Sequence, residues 1–371
     1  MKLSVSSYEL QRLLGSISGV LPSKSTLPIL DNFLLDLSGD DLTITATDLD
    51  IFASVRIKVK GIEDGKVTIP AKRLIETIRA LPDTNIVFFA DPGSNKIEMK
   101  TDAGVYKLAG ESNENYPSVP AVKEQQELEI DNETLRRLIS KTAFAVSSDD
   151  LRPAMTGILF QIKSKEIRAV STDGHRLVKL TNSNFSSKIS EKEIIIPAKA
   201  LSLVAKCIED VPGRISLDET QVKFVLGNIT LVSRMIDEKY PNYETVLPLE
   251  NDKKLVVDKN QLLSSVRRTA LYASSTTHLV RFSLSKNSMT VSAEDIDFGS
   301  EAKETLQCEY LADPMEIGFN AHYVIDILSH VDTDNVLFLV SSASRAAIVK
   351  PAEQREGEDL LMLVMPVRLN A

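Results

Sequence analysis

The sequence contains few of the residues on which metal chemistry, disulfide frameworks and membrane insertion depend. Its 371 residues include two cysteines, four histidines and no tryptophan. A disulfide framework and a paired-cysteine metal site are excluded, and Cys207 and Cys308 are predicted to be buried thiols in a reducing compartment. The longest apolar run, 360–367, is far shorter than the roughly 18 residues of a membrane span. The N-terminus lacks the apolar core of a secretory signal. We therefore expect a cytoplasmic protein.

Four sequence landmarks occur three times each. The chain is too long for one comfortable core, which suggests two or three domains. Equivalent landmark positions lie between 122 and 127 residues apart. The aligned positions are Leu10, Leu135 and Leu262; Asp48, Asp173 and Asp295; Pro70, Pro197 and Asn320; and Pro117, Pro241 and Pro366. This spacing predicts a threefold duplication. Polar joins near 121 and 250 predict three domains, 1–121, 122–249 and 250–371.

Each copy has the same alternation of structural signals. Two segments per copy have apolar residues on one helical face, as at Leu10, Leu13, Leu14 and Ile17. The remainder is read as short strands separated by turns. Pro70 and Pro197 are expected in the first turn of a helix. The predicted fold class is α+β, three tandem repeats of a unit with two helices and antiparallel sheet.

The segment "STDGHRL", which ends at Leu177, carries the candidate catalytic side chains. Asp173 recurs in the other copies, so its predicted role is to fix a turn through local backbone N–H groups. His175 and Arg176 occur in the middle copy alone. A hydrolase centred on Asp173 and His175 is one hypothesis, but the chain offers no motif that would complete such a site. His278, His322 and His330 are expected to pack or to lie on the surface, not to bind metal. No cofactor is expected.

Positive charge is concentrated on the predicted helices. The six helical segments carry a net charge of +5, whereas the whole chain carries −9. Equivalent helices in equivalent repeats can face one axis, where they would attract a polyanion. Six helices about 9 Å apart enclose too small a bore for duplex DNA, whereas twelve leave roughly 24 Å for a duplex about 20 Å across. The helical cations predicted to contact DNA are Lys72, Arg73, Arg79, Arg136, Arg137, Lys141, Lys199, Lys206, Arg267 and Arg268.

Several motifs resemble one known family along essentially the whole chain. "TLPIL", "TATDLD", "STDGHRL", "YPNYETVLP" and "VMPVRL" are similar to the bacterial DNA sliding clamps, the β subunits of DNA polymerase III. The resemblance implies the DNA clamp fold and a ring formed by a head-to-tail homodimer around duplex DNA. It implies a non-catalytic processivity factor that tethers the polymerase III α subunit, the clamp loader, and other polymerases and repair proteins. The alternative is a repeat scaffold that binds proteins and never touches DNA.

The resemblance also implies particular contact residues. Lys24 joins the predicted DNA contacts, whereas the loop 148–154 departs from the family pattern and is not included. The implied pocket, which takes a short peptide with Gln, Leu and Phe-like anchors, comprises Arg152, Met155, Thr172, Gly174, His175, Arg176, Leu177, Pro241, Val246, Asn320, Tyr323, Leu363, Val364, Met365, Pro366, Val367 and Arg368. The implied dimer contact places Val105, Tyr106 and Leu108 against Leu271 and Tyr272. Lys100 and Lys107 would face acids such as Glu301 and Glu304. Asn370 and Ala371 extend past the usual family terminus.

Overall fold

The structure is a computed structural model of the chain. It describes residues 1–22, 24–25, 27–91, 93–123, 126–189, 191–208 and 213–369. Asn370 and Ala371, the predicted extension, lie outside the described residues. No helix in the described part of the chain is long and apolar enough to cross a membrane.

The secondary structure repeats three times in the same order. Residues 1–121 contain strands β1 Lys2–Ser6, β2 Asn32–Ser38, β3 Asp41–Thr47, β4 Ile51–Lys58, β5 Lys60–Glu63, β6 Gly65–Pro70, β7 Asn85–Asp91, β8 Lys96–Lys100 and β9 Val105–Ala109, with helices α1 Ser7–Ile17 and α2 Ala71–Ala80. Residues 122–249 contain strands β10 Gln126–Leu128, β11 Gly157–Lys163, β12 Glu166–Thr172, β13 Arg176–Asn182, β14 Glu191–Pro197, β15 Arg214–Leu217, β16 Gln221–Leu226 and β17 Ile229–Arg234, with helices α3 Asn132–Thr142 and α4 Ala198–Cys207. Residues 250–371 contain strands β18 Lys253–Asp258, β19 Leu279–Ser285, β20 Ser288–Asp295, β21 Ser300–Gln307, β22 Glu309–Tyr310, β23 Met315–Asn320, β24 Asn335–Val340, β25 Ala347–Pro351 and β26 Glu358–Val364, with helices α5 Lys259–Thr269 and α6 Ala321–Ser329.

The helices lie where the repeat predicts them, with small differences at their ends. Pro70 and Pro197 are the residues just before α2 and α4, so each proline caps its helix and does not occupy the first turn. The third copy has Asn320 at that position, and the side-chain oxygen of Asn320 accepts a hydrogen bond from the backbone N–H of His322 at 2.9 Å. An asparagine N-cap satisfies a helix-end donor that a proline cap leaves to other partners.

The apolar face predicted for the first helix is the buried face. Leu10, Leu13, Leu14 and Ile17 are all at most 3 % exposed. The preceding strand β1 alternates half-buried and buried residues, as expected of a strand with one face against a core. The thiol prediction is confirmed for Cys207, which is buried, but is wrong for Cys308, which is half-buried.

Contacts divide the chain into two compact units that cut across the repeats. Unit 1 is Met1–Arg136 with Ile196–Ile236. Unit 2 is Arg137–Ile195 with Asp237–Ala371. Each unit therefore combines one complete repeat with half of the middle repeat. The predicted boundaries near 121 and 250 stay a prediction.

Unit 1 contains two antiparallel sheets. One has the order β5-β1-β7-β8-β9, and the other has the order β10-β15-β16-β17-β4-β3-β2-β6. The second sheet is continuous across two repeats because β17 pairs with β4, with Val232 opposite Phe52. Helix α1 contacts both α2 and α4.

Unit 2 repeats this design, again with a larger sheet that crosses between repeats and a smaller sheet. The larger sheet has the order β14-β11-β12-β13-β26-β25-β24-β18-β22, and the smaller has β21-β20-β19-β23. The larger sheet crosses from the middle repeat to the last because β13 pairs with β26, with Leu177 opposite Leu363. Sheet pairing between repeats explains why the compact units differ from the repeats.

Candidate functional sites

The turn between β12 and β13 is held by the Asp173 carboxylate. One oxygen of Asp173 accepts hydrogen bonds from the backbone N–H groups of His175 and Arg176, both at 2.9 Å. Gly174, which lies between Asp173 and His175, has φ +90°, a backbone conformation that favours glycine. The prediction that Asp173 fixes a turn is confirmed. Asp48 and Asp295 hold the equivalent turns in the same way.

Arg176 connects this turn to helix α6. Its Nε donates to the second Asp173 oxygen at 3.1 Å, and Nη2 donates to the Phe144 carbonyl at 2.7 Å. Nη1 donates to the Asp326 carboxylate. The guanidinium carbon also lies 4.9 Å from the Tyr323 ring centroid, within the range of a cation–π contact. Both Asp173 oxygens are therefore engaged with the turn and with Arg176, which leaves this carboxylate unsuited to act as a general base.

Strand β26 and the chain that follows it form the other side of this site. The backbone N–H of Met365 donates to the His175 carbonyl at 2.8 Å, and that of Val367 donates to the Gly318 carbonyl at 2.8 Å. These bonds carry the chain past the turn after the strand itself has ended. Met365 is left 42 % exposed beside the open turn. A flexible thioether at such a position suits ligands of varied shape.

The predicted pocket residues all belong to unit 2. They differ in exposure, which divides them into accessible groups and supporting groups. Exposed are Arg152, Gly174, His175, Pro241, Val246, Met365 and Arg368; half-buried are Asn320, Tyr323, Pro366 and Val367; buried are Met155, Thr172, Arg176, Leu177, Leu363 and Val364. The His175 ring stacks on Tyr323 with centroids 5.9 Å apart. The arrangement is an apolar floor with a polar rim, which is typical of a site for a peptide or small ligand.

Space at the turn depends on the absence of a side chain at residue 174. A Cβ added to Gly174 would lie 3.1 Å from Arg152 Nη1 and 3.7 Å from Met155 Cε. Arg152 also donates to the Asp173 carbonyl at 3.3 Å. A side chain at residue 174 would therefore crowd Arg152 and Met155.

Two of the helical cations predicted to contact DNA are already committed to other groups. Arg137 makes two hydrogen bonds to the Glu358 carboxylate, at 2.8 and 2.6 Å, and one to Asp332 at 2.9 Å. Lys141 is 7 % exposed, and its ammonium lies 2.5 Å from Asp332 and 2.6 Å from the His330 carbonyl. Both cations serve to join α3 to the last repeat within unit 2. We leave Arg137 and Lys141 out of the proposed DNA contacts.

These ion pairs shift the pKa values of their members. The Glu358 hydrogen bond raises the pKa of Arg137 above its usual value. Burial pushes the pKa of Asp332 upward, but hydrogen bonds from Lys141 and Arg137 outweigh it and leave that pKa below its usual value. For His330, a base, burial has the opposite effect and lowers the pKa. The His330 ring stacks on Phe144 with centroids 4.0 Å apart. His330 packs as predicted.

The other predicted DNA-contact cations lie at the surface. Three of them have a partner in their own unit: Lys199 donates to Asp48 at 2.6 Å, Arg136 to the Ile208 carbonyl at 2.9 Å, and Arg268 to Glu304 at 2.7 and 2.6 Å. Arg267 makes a long 3.5 Å contact to Ser329. Of the predicted DNA-contact cations, those that are exposed and have no acidic partner among the described residues are Lys24, Lys72, Arg73, Arg79, Lys206 and Arg267.

The smaller sheet of each unit has an edge strand that is of interest for contact with a second chain. In unit 1 this edge is β9, where Val105 is 53 % exposed. In unit 2 it is β21. Beside β21 lie the predicted contact residues Leu271, 82 % exposed, and Tyr272, 44 % exposed. Open strand edges and exposed apolar side chains together are typical of a protein interface.

Two apolar residues at the β21 edge were missed by the sequence reasoning. Ile296 and Phe298 are 86 % and 83 % exposed. They lie in the turn held by Asp295, where the first repeat has Leu49 and Ile51 and the middle repeat has Gly174 and Arg176. Comparison of the three turns does not carry the signal, because the first turn also has two large apolar residues and Ile51 there is buried.

The charged partners predicted across this interface are partly engaged within the chain. Lys100 and Lys107 lie 2.8 and 3.5 Å from Glu98. Glu304 is paired with Arg268, which lowers the pKa of that carboxyl. Glu301 has no cationic partner among the described residues.

The geometry defines a class of protein. It is a threefold repeat with a candidate docking site where β13 pairs with β26, and its edge strands β9 and β21 each have one side without a partner strand among the described residues. Residues 1–120, 129–242 and 244–368 match the N-terminal, central and C-terminal domains of the DNA polymerase III beta subunit. The chain belongs to this family, the sliding clamps.

Individual relatives agree over full length. The chain is 30 % identical to the beta sliding clamps of Pseudomonas aeruginosa and Chlamydia muridarum, with 100 % of each sequence covered. It is similar to crystal structures of sliding clamps bound to griselimycin, from Pseudomonas aeruginosa with a TM-score of 0.90 at 30 % identity and from Bartonella birtlesii with 0.93 at 28 % identity, again with full coverage. The three-repeat α+β clamp fold is confirmed, and the chain is a non-catalytic member of a polymerase assembly.

Proposed function

We propose that two copies of this chain close head to tail into a ring around duplex DNA and tether the replicative polymerase to it. One observation carries the proposal: the two open edges, β9 and β21, are the repeat equivalents of strands that are already joined within the chain. In unit 1, β17 pairs with β4, and in unit 2, β26 pairs with β13. By position in the repeat, β9 corresponds to β17 and β26, and β21 corresponds to β4 and β13. A second copy supplies the missing partner for each edge.

The repeat equivalence predicts a particular register. In the β8–β9 hairpin Tyr106 lies opposite Met99, and in the β25–β26 hairpin Met362 lies opposite Val349. Tyr106 is therefore the repeat equivalent of Met362. Met362 pairs with Val178, the residue after Leu177. The equivalent of Val178 in the third repeat is Ala302, so Tyr106 is expected opposite Ala302 of a second copy.

One step along this register sets Lys107 opposite Glu301 of the second copy. Their exposure agrees with this assignment, because both are exposed, whereas Tyr106 and Ala302 are both half-buried. Opposite residues in an antiparallel pair point to the same face of the sheet. The register therefore joins like faces and places opposite charges together.

The DNA contacts are proposed to be the exposed cations of the helical surfaces. In unit 1, α2 and α4 both adjoin α1, and Lys72, Arg73, Arg79 and Lys206 are exposed on them. Lys24 adds a cation from a loop, and Arg267 adds one in unit 2. Such a set would hold a phosphate backbone without reading its sequence. Arg136, Lys199 and Arg268 are proposed only as secondary contacts because they already have partners.

The groove at the Asp173 turn is proposed to bind peptides of polymerases, of the clamp loader and of repair proteins. Its exposed apolar residues, Met365 and Val246, can take apolar anchors, and the rim side chains His175 and Arg368 can donate hydrogen bonds to a peptide. The site of action is proposed to be the cytoplasm.

A covalently closed ring gives the sharpest test of this function. The variant Lys107→Cys, Glu301→Cys, Cys308→Ser is loaded on a nicked circular plasmid and treated with a short bis-maleimide. A closed ring is expected to stay on the circle in denaturing detergent and to be released when the plasmid is linearised, because only a topological link survives unfolding. The variant Lys107→Cys, Cys308→Ser, which lacks the cysteine at 301, is the control and is expected to leave the circle in detergent. Retention after linearisation, or no crosslink between chains, would refute ring closure.

Charge reversal separates the clamp from a scaffold that never touches DNA. Lys24→Glu, Lys72→Glu and Arg73→Glu together are expected to weaken binding to a fluorescent duplex at 50 mM salt by about tenfold or more, and to reduce the salt dependence by about three ion equivalents. Anisotropy titrations at several salt concentrations measure both. The matched control is Lys60→Glu, Lys96→Glu and Lys286→Glu, which changes net charge equally at exposed sheet and turn positions. No binding of the duplex by the unchanged chain would favour the scaffold, and equal loss in both triple variants would contradict the assigned contact residues.

A further inference from the structure

Unit 1 contains a groove at the repeat equivalent of the peptide pocket. It has a volume of about 460 Å³ and lies beside the turn held by Asp48. Its floor is the cross-strand pair Phe52 and Val232, where the pocket in unit 2 has Leu177 and Leu363. The backbone N–H of Arg234 donates to the Asp50 carbonyl at 2.9 Å, as Met365 donates to His175. The two sites share one backbone frame.

The side chains on this frame differ in a way that changes the ligand chemistry. Asp50 stands where the pocket has His175, and Arg234 stands where it has Met365. Both are exposed, and neither has an oppositely charged partner among the described residues. Their positions are opposite in the strand pairing, so the groove presents one free anion and one free cation around an apolar floor.

An orphaned acceptor lies in the same groove. The Gln221 side-chain oxygen is buried and has no hydrogen-bond partner in the described part of the chain. A buried acceptor without a partner is costly, and a ligand can relieve that cost only if the side chains that cover the oxygen move aside. Asp48 is different, because its carboxylate already accepts from Asp50 N–H, Ile51 N–H and Lys199.

Leu49 marks this turn as strained. Its φ of +81° lies in the left-handed region that leucine rarely adopts. It is 41 % exposed and lines the groove. Strain of this kind persists where the surroundings impose it and is concentrated at binding sites.

We propose that this groove binds an extended peptide of a second protein in which a basic, an apolar and an acidic residue occupy alternate positions and so face the same side. The basic side chain pairs with Asp50. The apolar side chain packs on Phe52, Val232 and Pro120, and the acidic side chain pairs with Arg234. The comparison with the unit 2 pocket rests on the proposed function of that pocket. The free charges of Asp50 and Arg234 and the orphaned Gln221 oxygen are observations of unit 1 and do not depend on that function.

Two labelled peptides of identical composition test the proposal, acetyl-GRSLSEG-amide and acetyl-GESLSRG-amide. One of them is expected to bind the full chain at least tenfold more tightly than the other, because only one charge order matches Asp50 and Arg234 along the groove. The double variant Asp50→Arg, Arg234→Asp is expected to invert this preference. Both residues are exposed, so the swap leaves the fold intact.

The remaining arms separate this groove from the pocket in unit 2. Gly174→Leu is expected to leave the preference unchanged, since it alters only the unit 2 turn. Equal binding of the two peptides, no binding of either up to 1 mM, or loss of binding in Gly174→Leu would each overturn the proposal. None of these results bears on ring closure, which the crosslinking experiment tests separately.

Discussion

Replacing Leu271 with aspartate is expected to convert the dimer into 40.9 kDa monomers. Leu271 is 82 % exposed in the single chain and lies beside the open strand β21, with Tyr272 next to it. Its side chain contributes little to the folded chain but would be covered in the ring. An aspartate there would be buried without a cation, which costs about 2–4 kcal/mol at each interface. Dissociation should therefore rise by roughly 30-fold or more at each interface.

Light scattering at micromolar concentration measures this change, and Leu249→Asp supplies a matched control. Leu249 is 97 % exposed in the same unit but lies in the chain between the second and third repeats, away from β21. Leu249→Asp is expected to keep the dimer mass, and both variants are expected to melt within a few degrees of the unchanged chain. If Leu271→Asp remained a dimer, the β9–β21 interface would be wrong.

The repeat was the part of this molecule most open to prediction from sequence. Aspartates at 48, 173 and 295 recur because each must accept two backbone N–H groups at a tight turn. Apolar spacing in α1 likewise follows from the face that it buries. These are local requirements, and a local requirement leaves the same residue at the same position in every copy.

Long-range pairing was not open to prediction in the same way. The helix α3 cations Arg137 and Lys141 look like any other basic helix face in the sequence. Their partners Asp332 and Glu358 lie about 190 to 220 residues away along the chain. Composition cannot show that β13 pairs with β26, so it cannot show that these charges meet. Charge counting therefore overestimated the free cations.

The three turns show how one frame acquired different surfaces. Asp48, Asp173 and Asp295 each accept two backbone N–H groups, and the residue that follows has a positive φ at Leu49 and Gly174 but not at Ile296. The first turn borders a groove, the second lies at the proposed peptide pocket, and the third borders an open edge. Side chains on the frame, and not the frame itself, decide what each site can bind.

Replacing Gly174, the residue after Asp173, with leucine is expected to weaken peptide binding strongly at the unit 2 pocket. Gly174→Leu should weaken binding of a peptide with Gln, Leu and Phe anchors by about 30-fold or more, because the new side chain points toward Arg152 and Met155 and fills the opening. Leucine at a positive φ costs roughly 1–2 kcal/mol, but the fold should survive because Leu49 already occupies the equivalent turn at φ +81°.

The reciprocal variant, Leu49→Gly, controls for effects on the turn backbone. It relieves strain in unit 1 and leaves the unit 2 pocket untouched, so peptide affinity should stay within about twofold while stability rises by up to about 1 kcal/mol. Titration of a labelled peptide and thermal melting measure the two effects. Undiminished binding in Gly174→Leu would move the docking site away from the Asp173 turn, because no peptide could share that opening with a leucine side chain. The two substitutions lie in separate turns and have opposite effects on backbone strain. Loss of peptide binding in both variants would therefore point to a general loss of folded protein and not to a change in the pocket.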